Sequence, residues 1–180
     1  MKRMSKAKEQ ILSLLWEAEN PVPLKEVSEK IELKVRSANM HLLGLVKSGH
    51  VSKSKKGYYR ITGSGREAIG LPKIDKKFAE RVLGKTSAER AFQFYRGIDR
   101  PTGIVSDSLV DLCEKIKALD IEPIEFHLSR GDFENWISSL GDTELARRLR
   151  VIQNKKLAGQ TLKDRIHETI KSRCEELLKK

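Results

Sequence analysis

The amino-acid sequence changes its hydrophobic period within the first 70 residues, and this change constrains the fold more than any other feature. Apolar residues recur at helical spacing over residues 5–18, 24–31 and 34–48. Two prolines follow the first pattern, and Gly49 follows the third, where a helix-ending glycine is expected. The sequence therefore predicts three short helices in close succession.

A pattern typical of a β-hairpin comes next. Two short β-prone runs, residues 51–53 and 58–61, flank a turn that contains Gly57. Because strand side chains alternate between two faces, either Tyr58 or Tyr59 must face the core, and the sequence leaves open which of them does.

After the hairpin, Thr62 or Ser64 can cap a further helix. Gly70-Leu71-Pro72 then interrupts the helical pattern and marks the expected domain boundary. The sequence thus predicts a first domain over residues 1–70 and a second over residues 71–180.

The predicted order of helix, helix, helix, β-hairpin and helix is that of a winged helix-turn-helix domain. A resemblance to the DNA-binding regulators of the MarR and ArsR type lies in the stretch LKEVSEKIELKVRSANMHLLGLVKSGHVSKSKKGYYRITGSGREAI. It rests on the step Gly49-His50-Val51 from the third helix into the wing, and on the element Ile61-Thr62-Gly63-Ser64-Gly65 after the wing. The resemblance implies a DNA-binding domain made of three helices and a hairpin wing.

Such a domain places its third helix in the DNA major groove, where outward side chains near the N-terminal end meet base edges. The residues expected to face inward are Val35, Ala38, Leu42, Leu45 and Val46. The outward residues predicted to contact DNA are Lys34, Arg36, Ser37, Asn39 and Met40. Arg36 can bridge a guanine and Asn39 an adenine, whereas Lys34 and Ser37 suit phosphates.

The C-terminal half of the third helix departs from the family pattern. Leu43 and Gly44 stand where many recognition helices carry charge. We therefore expect DNA contact to be confined to the N-terminal half of the helix and to the wing.

The wing is predicted to contact phosphates or the minor groove through Lys53, Lys55, Lys56 and Arg60. A net charge of +11 also favours a polyanionic partner, and residues 1–70 carry 14 Lys or Arg against 7 Asp or Glu. The charge of residues 71–180 is more balanced, with 22 Lys or Arg against 18 Asp or Glu. The alternative for all of these side chains is that they are solvated surface residues.

The second domain is predicted to be all-α or nearly so. The spacing from Thr86 to Glu89 fits a capping box, which predicts a helix that carries Ala91, Phe92, Phe94 and Tyr95. Residues 97–103 are expected to form a loop, and residues 124–128 are the one plausible extended piece.

The later helices of this domain have candidate N-caps in Ser106, Asp132 and Asp142. A long amphipathic helix is predicted over residues 162–178. Because many winged-helix regulators pair through helices outside the DNA-binding module, this helix is a candidate for packing across a homodimer as well as within one chain.

A second resemblance involves residues 126–149, FHLSRGDFENWISSLGDTELARRL. They resemble a small uncharacterised domain found in archaeal proteins, with a recurring Phe-His-x-x-Arg-Gly-Asp-Phe-x-x-Trp core. This resemblance implies no activity.

One cluster could support acid–base chemistry on an anionic substrate: His127, Arg130, Asp132 and Glu134. The favoured alternative is structural, with His127 and Arg130 pairing with Asp132 to fix a corner. The sequence contains no phosphate-binding loop, nucleophile elbow or metal-ligand spacing, and Cys113 and Cys174 are isolated. We therefore expect no enzyme, no cofactor and no metal.

The whole sequence predicts a mostly helical regulator of transcription that binds double-stranded DNA. The alternative is a winged-helix adaptor that docks a protein of the transcription or replication machinery, and the C-terminal domain is a further place for a protein partner. A second basic cluster could extend the DNA contact or be solvated: Arg147, Arg148, Arg150, Lys155 and Lys156. The sequence has neither a signal-peptide pattern nor a run of about 18 apolar residues, so we expect a cytoplasmic protein with no membrane contact.

Overall fold

The computed structural model describes residues 4–18 and 20–180. Most of these residues are helical, and two small antiparallel sheets accompany the helices. The prediction of a mostly helical fold is therefore confirmed. The chain divides into two compact units, with the boundary between Lys73 and Ile74. Within the described part of the chain, no helix has both the length and the apolar character that a membrane crossing requires.

The first unit contains the three predicted helices, the two strands of the predicted hairpin and a short helix after them. Thr62 rather than Ser64 caps this last helix, since its hydroxyl accepts the Gly65 N–H. The elements are α1 (Lys6–Glu17), β1 (Val22–Pro23), α2 (Leu24–Lys30), α3 (Val35–Lys47), β2 (Val51–Lys53), β3 (Tyr58–Ile61) and α4 (Gly63–Ala68).

The sheet of the first unit has the order β1-β3-β2, with all neighbours antiparallel. Strand β1 was not predicted, because a two-residue strand that follows Pro21 and ends in Pro23 has no readable period. It pairs Val22 with Tyr59, which is 2% exposed, whereas Tyr58 is 42% exposed. The register thus decides that Tyr59 faces the core.

Helix α3 buries Ala38, Leu42 and Leu45 against α1 and the sheet. The prediction that Val35 is buried is wrong, since its side chain is 52% exposed. Val35 is the first residue of α3 and precedes the first buried residue by almost one turn, so it lies beyond the edge of the core. The core consists of Ile11, Leu12, Leu15, Val22, Val27, Leu42, Leu45, Val51 and Tyr59.

The second unit is nearly, but not entirely, helical. A single 3₁₀ turn (Ala88–Arg90) and a two-stranded antiparallel sheet stand between its first two helices. The elements are α5 (Lys76–Leu83), β4 (Phe92–Tyr95), β5 (Pro101–Ser106), α6 (Leu109–Ala118), α7 (Ile121–Arg130), α8 (Asp132–Leu140), α9 (Thr143–Asn154) and α10 (Gly159–Leu178).

The predicted helix through Ala91 and Tyr95 is wrong, because this segment is strand β4. Phe92 and Phe94 are buried while Gln93 between them is exposed, which is the alternation of a strand. The predicted loop over residues 97–103 is too long, since β5 begins at Pro101, opposite Tyr95.

The extended segment predicted at residues 124–128 is also wrong, because these residues lie inside helix α7. Pro123 precedes them, and it occupies the first helical turn, where the missing proline N–H costs no hydrogen bond. Proline here marks the start of a helix and not a break after one.

Two of the three predicted N-caps are wrong. Ser108, not Ser106, caps α6 by accepting the Asp111 N–H at 3.2 Å. Gly131, in the left-handed conformation, is the N-cap residue of α8, and the Asp132 carboxylate binds side chains instead. Asp142 is confirmed as the cap of α9, because its carboxylate accepts the Leu145 N–H at 3.0 Å.

A fully buried guanidinium organises the core of the second unit. Arg173 of α10 donates two hydrogen bonds to Asp142, at 2.6 and 2.8 Å. Its third nitrogen lies 3.3 Å from Glu144 Oε2 and 2.7 Å from Glu176 Oε2. Burial alone lowers the pKa of Arg173, but the hydrogen bonds and charge of Asp142, helped by Glu144 and Glu176, outweigh burial and raise the pKa. The guanidinium therefore stays charged and joins α10 to the start of α9.

Replacing Arg173 by Met should lower the free energy of unfolding of the second unit by about 3–5 kcal/mol, because Asp142 and Glu144 lose their buried counter-charge. The two tryptophans of the chain, Trp16 and Trp136, lie in different units. Urea unfolding followed by Trp136 fluorescence in a Trp16→Phe background measures the second unit alone.

The control for this substitution is Lys171→Met on the same helix. Lys171 is exposed and its ammonium lies 4.0 Å from Glu175, so its loss should cost less than about 1 kcal/mol. Equal effects of the two substitutions would contradict the role given to Arg173.

Candidate nucleic-acid interface

The outward face of α3 is basic and apolar. Because Ala38, Leu42 and Leu45 are buried, helical geometry places the opposite stripe at positions 36, 40, 43 and 47. This stripe consists of Arg36, Met40, Leu43 and Lys47, and all four side chains are exposed.

The five DNA-contact residues predicted on or beside α3 are not equally accessible. Arg36 is exposed on the stripe, Met40 is 66% exposed, and Lys34 is exposed at the N-cap position. Ser37 and Asn39 lie on opposite flanks of the helix and are half-buried. In the structure Arg36, Met40 and Lys34 thus lie on accessible surface, while Ser37 and Asn39 border that surface on either side of the helix.

The hairpin presents its cations in two directions. Lys55 and Lys56 are exposed in the turn, which closes through a hydrogen bond from the Ser54 N–H to the Tyr58 carbonyl at 2.8 Å. Arg60 is exposed opposite Ser52 in the ladder. Lys53 is paired with Tyr59 and therefore leaves the sheet on the other side.

Lys53 nevertheless keeps its ammonium accessible. The side chain is exposed, and Nζ lies 5.6 Å from the centroid of the Tyr59 ring. The four predicted hairpin cations thus share one hairpin but not one face of it.

These cations lack acidic partners. Among the described residues, none of the predicted basic side chains of α3 and the hairpin forms an ion pair, and neither does Lys47. The lysines of α2 behave differently: Lys30 lies 2.8 Å from Glu26, and Lys25 lies 4.0 Å from Glu29. The charge of α2 is therefore compensated within its own helix, and the charge of α3 and the hairpin is not.

A sequence signal for this difference exists. Between Glu32 and Arg66 the chain has no Asp or Glu but has seven Lys or Arg. Charge totals over whole domains hide this acid-free stretch. Lys47 belongs to it but was not among the predicted contact residues.

A compact corner holds the hairpin against the end of α3. The Thr62 hydroxyl donates to the Gly49 carbonyl at 2.6 Å and accepts the Gly65 N–H at 3.1 Å. A Cβ atom on Gly65 would lie 2.1 Å from the His50 carbonyl oxygen. The element from Ile61 to Gly65 is thus explained by close approach of two backbone segments, and it fixes how the hairpin leaves α3.

The His127 cluster of the second unit forms a structural corner. His127 is 4% exposed; its Nε2 accepts the Tyr95 N–H at 2.8 Å, and its Nδ1 lies 2.8 Å from Asp132 Oδ2. Because a backbone N–H can only donate, Nε2 must be unprotonated, and Nδ1 donates to Asp132. Burial lowers the pKa of His127, against the opposing effect of Asp132, which favours this neutral form.

The predicted pairing of His127 and Arg130 with Asp132 is confirmed. Arg130 Nε also binds Asp132 Oδ2, at 3.2 Å. Glu134 does not join the cluster but binds Arg150 at 3.0 Å. Both nitrogens of His127 are therefore occupied by hydrogen bonds within the described chain.

The second basic cluster is partly neutralised. Arg148 binds Glu144 at 2.8 Å, and Arg150 binds Glu134. Arg147, Lys155 and Lys156 are exposed.

Replacing Gly65 by Ala should lower the free energy of unfolding of the first unit by about 2 kcal/mol, because the new methyl group collides with the His50 carbonyl. The measurement is urea unfolding followed by Trp16 fluorescence in a Trp136→Phe background. Gly63→Ala is the matched control, since no atom lies within 4 Å of the Cβ position there. A loss of stability in Gly63→Ala as large as that in Gly65→Ala would show that the collision is not the cause.

Comparison with known proteins gives one match. The model of a family of unknown function, DUF5752, matches residues 66–171, which include α5–α9, the β4–β5 hairpin and the first part of α10. Searches of curated proteins and of solved structures found no match. Since the family model covers more than half of the chain, the protein belongs to the DUF5752 family.

Proposed function

We propose that the first unit is a winged helix-turn-helix domain that binds double-stranded DNA and regulates transcription. The observation that carries the proposal is the set of exposed cations without acidic partners on α3 and the β2–β3 hairpin, which acts as the wing. Phosphates supply the missing negative charge, and binding releases the counterions that surround DNA.

In this proposal α3 lies in the major groove. Arg36, exposed near the N-terminal end, can donate two hydrogen bonds to a guanine edge, and Met40 can contact a thymine methyl group. Asn39 reaches an adenine edge only from the flank of the helix. Lys34 and Ser37 contact phosphates, and Lys47 adds a phosphate contact at the other end of the stripe.

The wing contacts the backbone beside the groove. Lys55 and Lys56 form the tip of the turn, and Arg60 extends the basic surface along β3. The Thr62–Gly65 corner keeps this wing at a fixed angle to the end of α3, so both elements can meet one stretch of DNA.

Removing the two lysines of the wing tip should weaken DNA binding and flatten its salt dependence. Each lost phosphate contact reduces the slope of log affinity against log salt by about 1, so Lys55→Ala with Lys56→Ala should reduce it by about 2. Fluorescence anisotropy with a random duplex over a salt series measures this slope.

The matched control removes the same charge from α2, as Lys25→Ala with Lys30→Ala. Because both lysines have glutamate partners, this variant should keep most of the slope. A wild-type slope near zero would contradict DNA binding, and equal slopes in both variants would contradict a role for the wing.

Replacing Arg36 by Lys tests base recognition separately from charge. Lysine keeps the positive charge but lacks the planar fork that binds guanine with two hydrogen bonds. After a preferred sequence is selected from a random duplex library, discrimination against single-base variants at one position should fall by about tenfold while the salt slope stays unchanged. If the variant still discriminated equally well against single-base changes at every position, Arg36 would not contribute to base recognition.

A second function is favoured by the apolar part of the same surface. Met40 and Leu43 are exposed on the stripe, and exposed apolar patches often mark protein contacts. Val35 is also exposed, at the first turn of α3. In this alternative the domain is an adaptor that docks a protein of the transcription or replication machinery. Two results together would favour the adaptor. The slope of log DNA affinity against log salt would be near zero, and the protein would still capture a partner from cell extract after nuclease treatment.

A further inference from the structure

The second unit contains a pocket of about 620 Å³ between the β4–β5 hairpin and helices α7 and α8. This volume is in the range of ligand sites in proteins, roughly 300–1,000 Å³. All of its lining residues belong to the second unit, so ligand binding in this pocket does not depend on DNA binding by the first unit.

Aromatic rings form the walls of the pocket. Phe92, Tyr95, Phe126 and Trp136 all line it. The Trp136 indole N–H donates to the Arg90 carbonyl at 2.8 Å, so the polar atom of this ring is already satisfied. Ile98, at the tip of the hairpin, also lines the pocket and is 75% exposed. A ligand therefore needs an apolar or aromatic part.

One cation and two carboxylates face the same pocket. Arg130 binds Asp132 only through Nε, and within the described chain its two Nη atoms have no hydrogen-bond partner. Asp132 receives both of its hydrogen bonds on Oδ2, which leaves Oδ1 without a described partner. Asp99 is exposed and also lines the pocket.

These charged groups are held in place before any ligand binds. His127 connects the backbone of β4 at Tyr95 to Asp132, and Asp132 in turn holds Arg130. The Arg130 guanidinium also lies 5.2 Å from the centroid of the Phe126 ring. Because Arg130 Nε and Asp132 Oδ2 are 3.2 Å apart, the pocket offers a donor pair and an acceptor side by side.

We propose that this pocket binds a free α-amino acid with an apolar or aromatic side chain. The carboxylate of the ligand meets the Nη atoms of Arg130, its ammonium meets Asp132 Oδ1 or Asp99, and its side chain lies against the rings. In an α-amino acid both charged groups are attached to one carbon, which matches the adjacent charges of the pocket.

Ligands with a single charge fit this arrangement less well. A simple anion would meet one guanidinium but also two carboxylates, and a simple cation would lie beside the guanidinium and leave its Nη atoms without an acceptor. The zwitterion has a partner for each of its charges.

The test is an NMR titration of the full-length protein with L-phenylalanine, followed through the Trp136 indole N–H and the backbone amides of Tyr95 and Ile98. Two analogues each lack one charged group: 3-phenylpropionate has no ammonium, and 2-phenylethylamine has no carboxylate. L-Phenylalanine should shift these signals saturably, and each analogue should bind at least about tenfold more weakly.

A substitution then assigns the carboxylate contact. Arg130→Gln should weaken L-phenylalanine binding by at least about tenfold, because the ligand carboxylate loses its guanidinium partner. It should not weaken the binding of 2-phenylethylamine, which has no carboxylate and loses only a repulsion between two cations. Arg147→Gln is the matched control, since Arg147 is exposed on α9 and lies outside the pocket. It should bind L-phenylalanine as the wild type does.

Three outcomes would overturn the proposal. These are the absence of saturable shifts up to the solubility limit of L-phenylalanine, equal affinities for the three probes, and unchanged binding in Arg130→Gln. Shifts scattered over both units would show an adventitious additive only, and would also overturn it. None of these outcomes involves DNA, so they do not test the proposed function of the first unit.

Discussion

The structure of the second unit depends on the buried ion cluster of Arg173. Bringing a guanidinium and two carboxylates out of water is costly, and the cost is offset only if every charge is paired at close range. Asp142 meets this requirement twice, because the same carboxylate caps α9 and receives two hydrogen bonds from Arg173. The place where α9 begins is therefore fixed by α10, the last helix of the unit. Moving α10 away from the start of α9 would leave Asp142 and Glu144 buried without a counter-charge.

His127 shows that a buried neutral polar group also has its hydrogen-bonding atoms paired. It is buried among aromatic rings, with centroids of Phe92 at 4.8 Å and Phe126 at 5.2 Å, and both of its nitrogens are paired. This pairing connects strand β4 to both α7 and α8. A residue whose type suggests acid–base chemistry thus supplies rigidity, and the pocket beside it owes its shape to that rigidity.

Sequence patterns predicted the first unit well because its signals are local. Helical spacing, a turn glycine and the Thr62 cap each act over a few residues, and all appear where expected. Strands β1 and β4 were missed because their runs are short, and β5 was missed because Pro101 and Gly103 interrupt its strand pattern. Phe92 and Phe94 alternate across only four residues, which a helical pattern also accommodates. At the candidate interface, residue types predicted Arg36 and the wing lysines, but the half-burial of Ser37 and Asn39 depends on the flanks of α3 and cannot be read from spacing alone.

Positive charge is paired in several parts of both units but not on α3 and the β2–β3 hairpin, and this contrast supports the proposal that a polyanion binds there. In the second unit Lys85, Lys115, Arg148, Arg150 and Arg173 each have a carboxylate within 3.0 Å. In α3 and the wing no such partner is present among the described residues. Paired charges create little field at a distance, whereas an unpaired set creates a local positive potential that steers anions. The excess charge of the whole chain is therefore less informative than its distribution, in which one helix face and one hairpin carry a set of cations without acidic partners among the described residues.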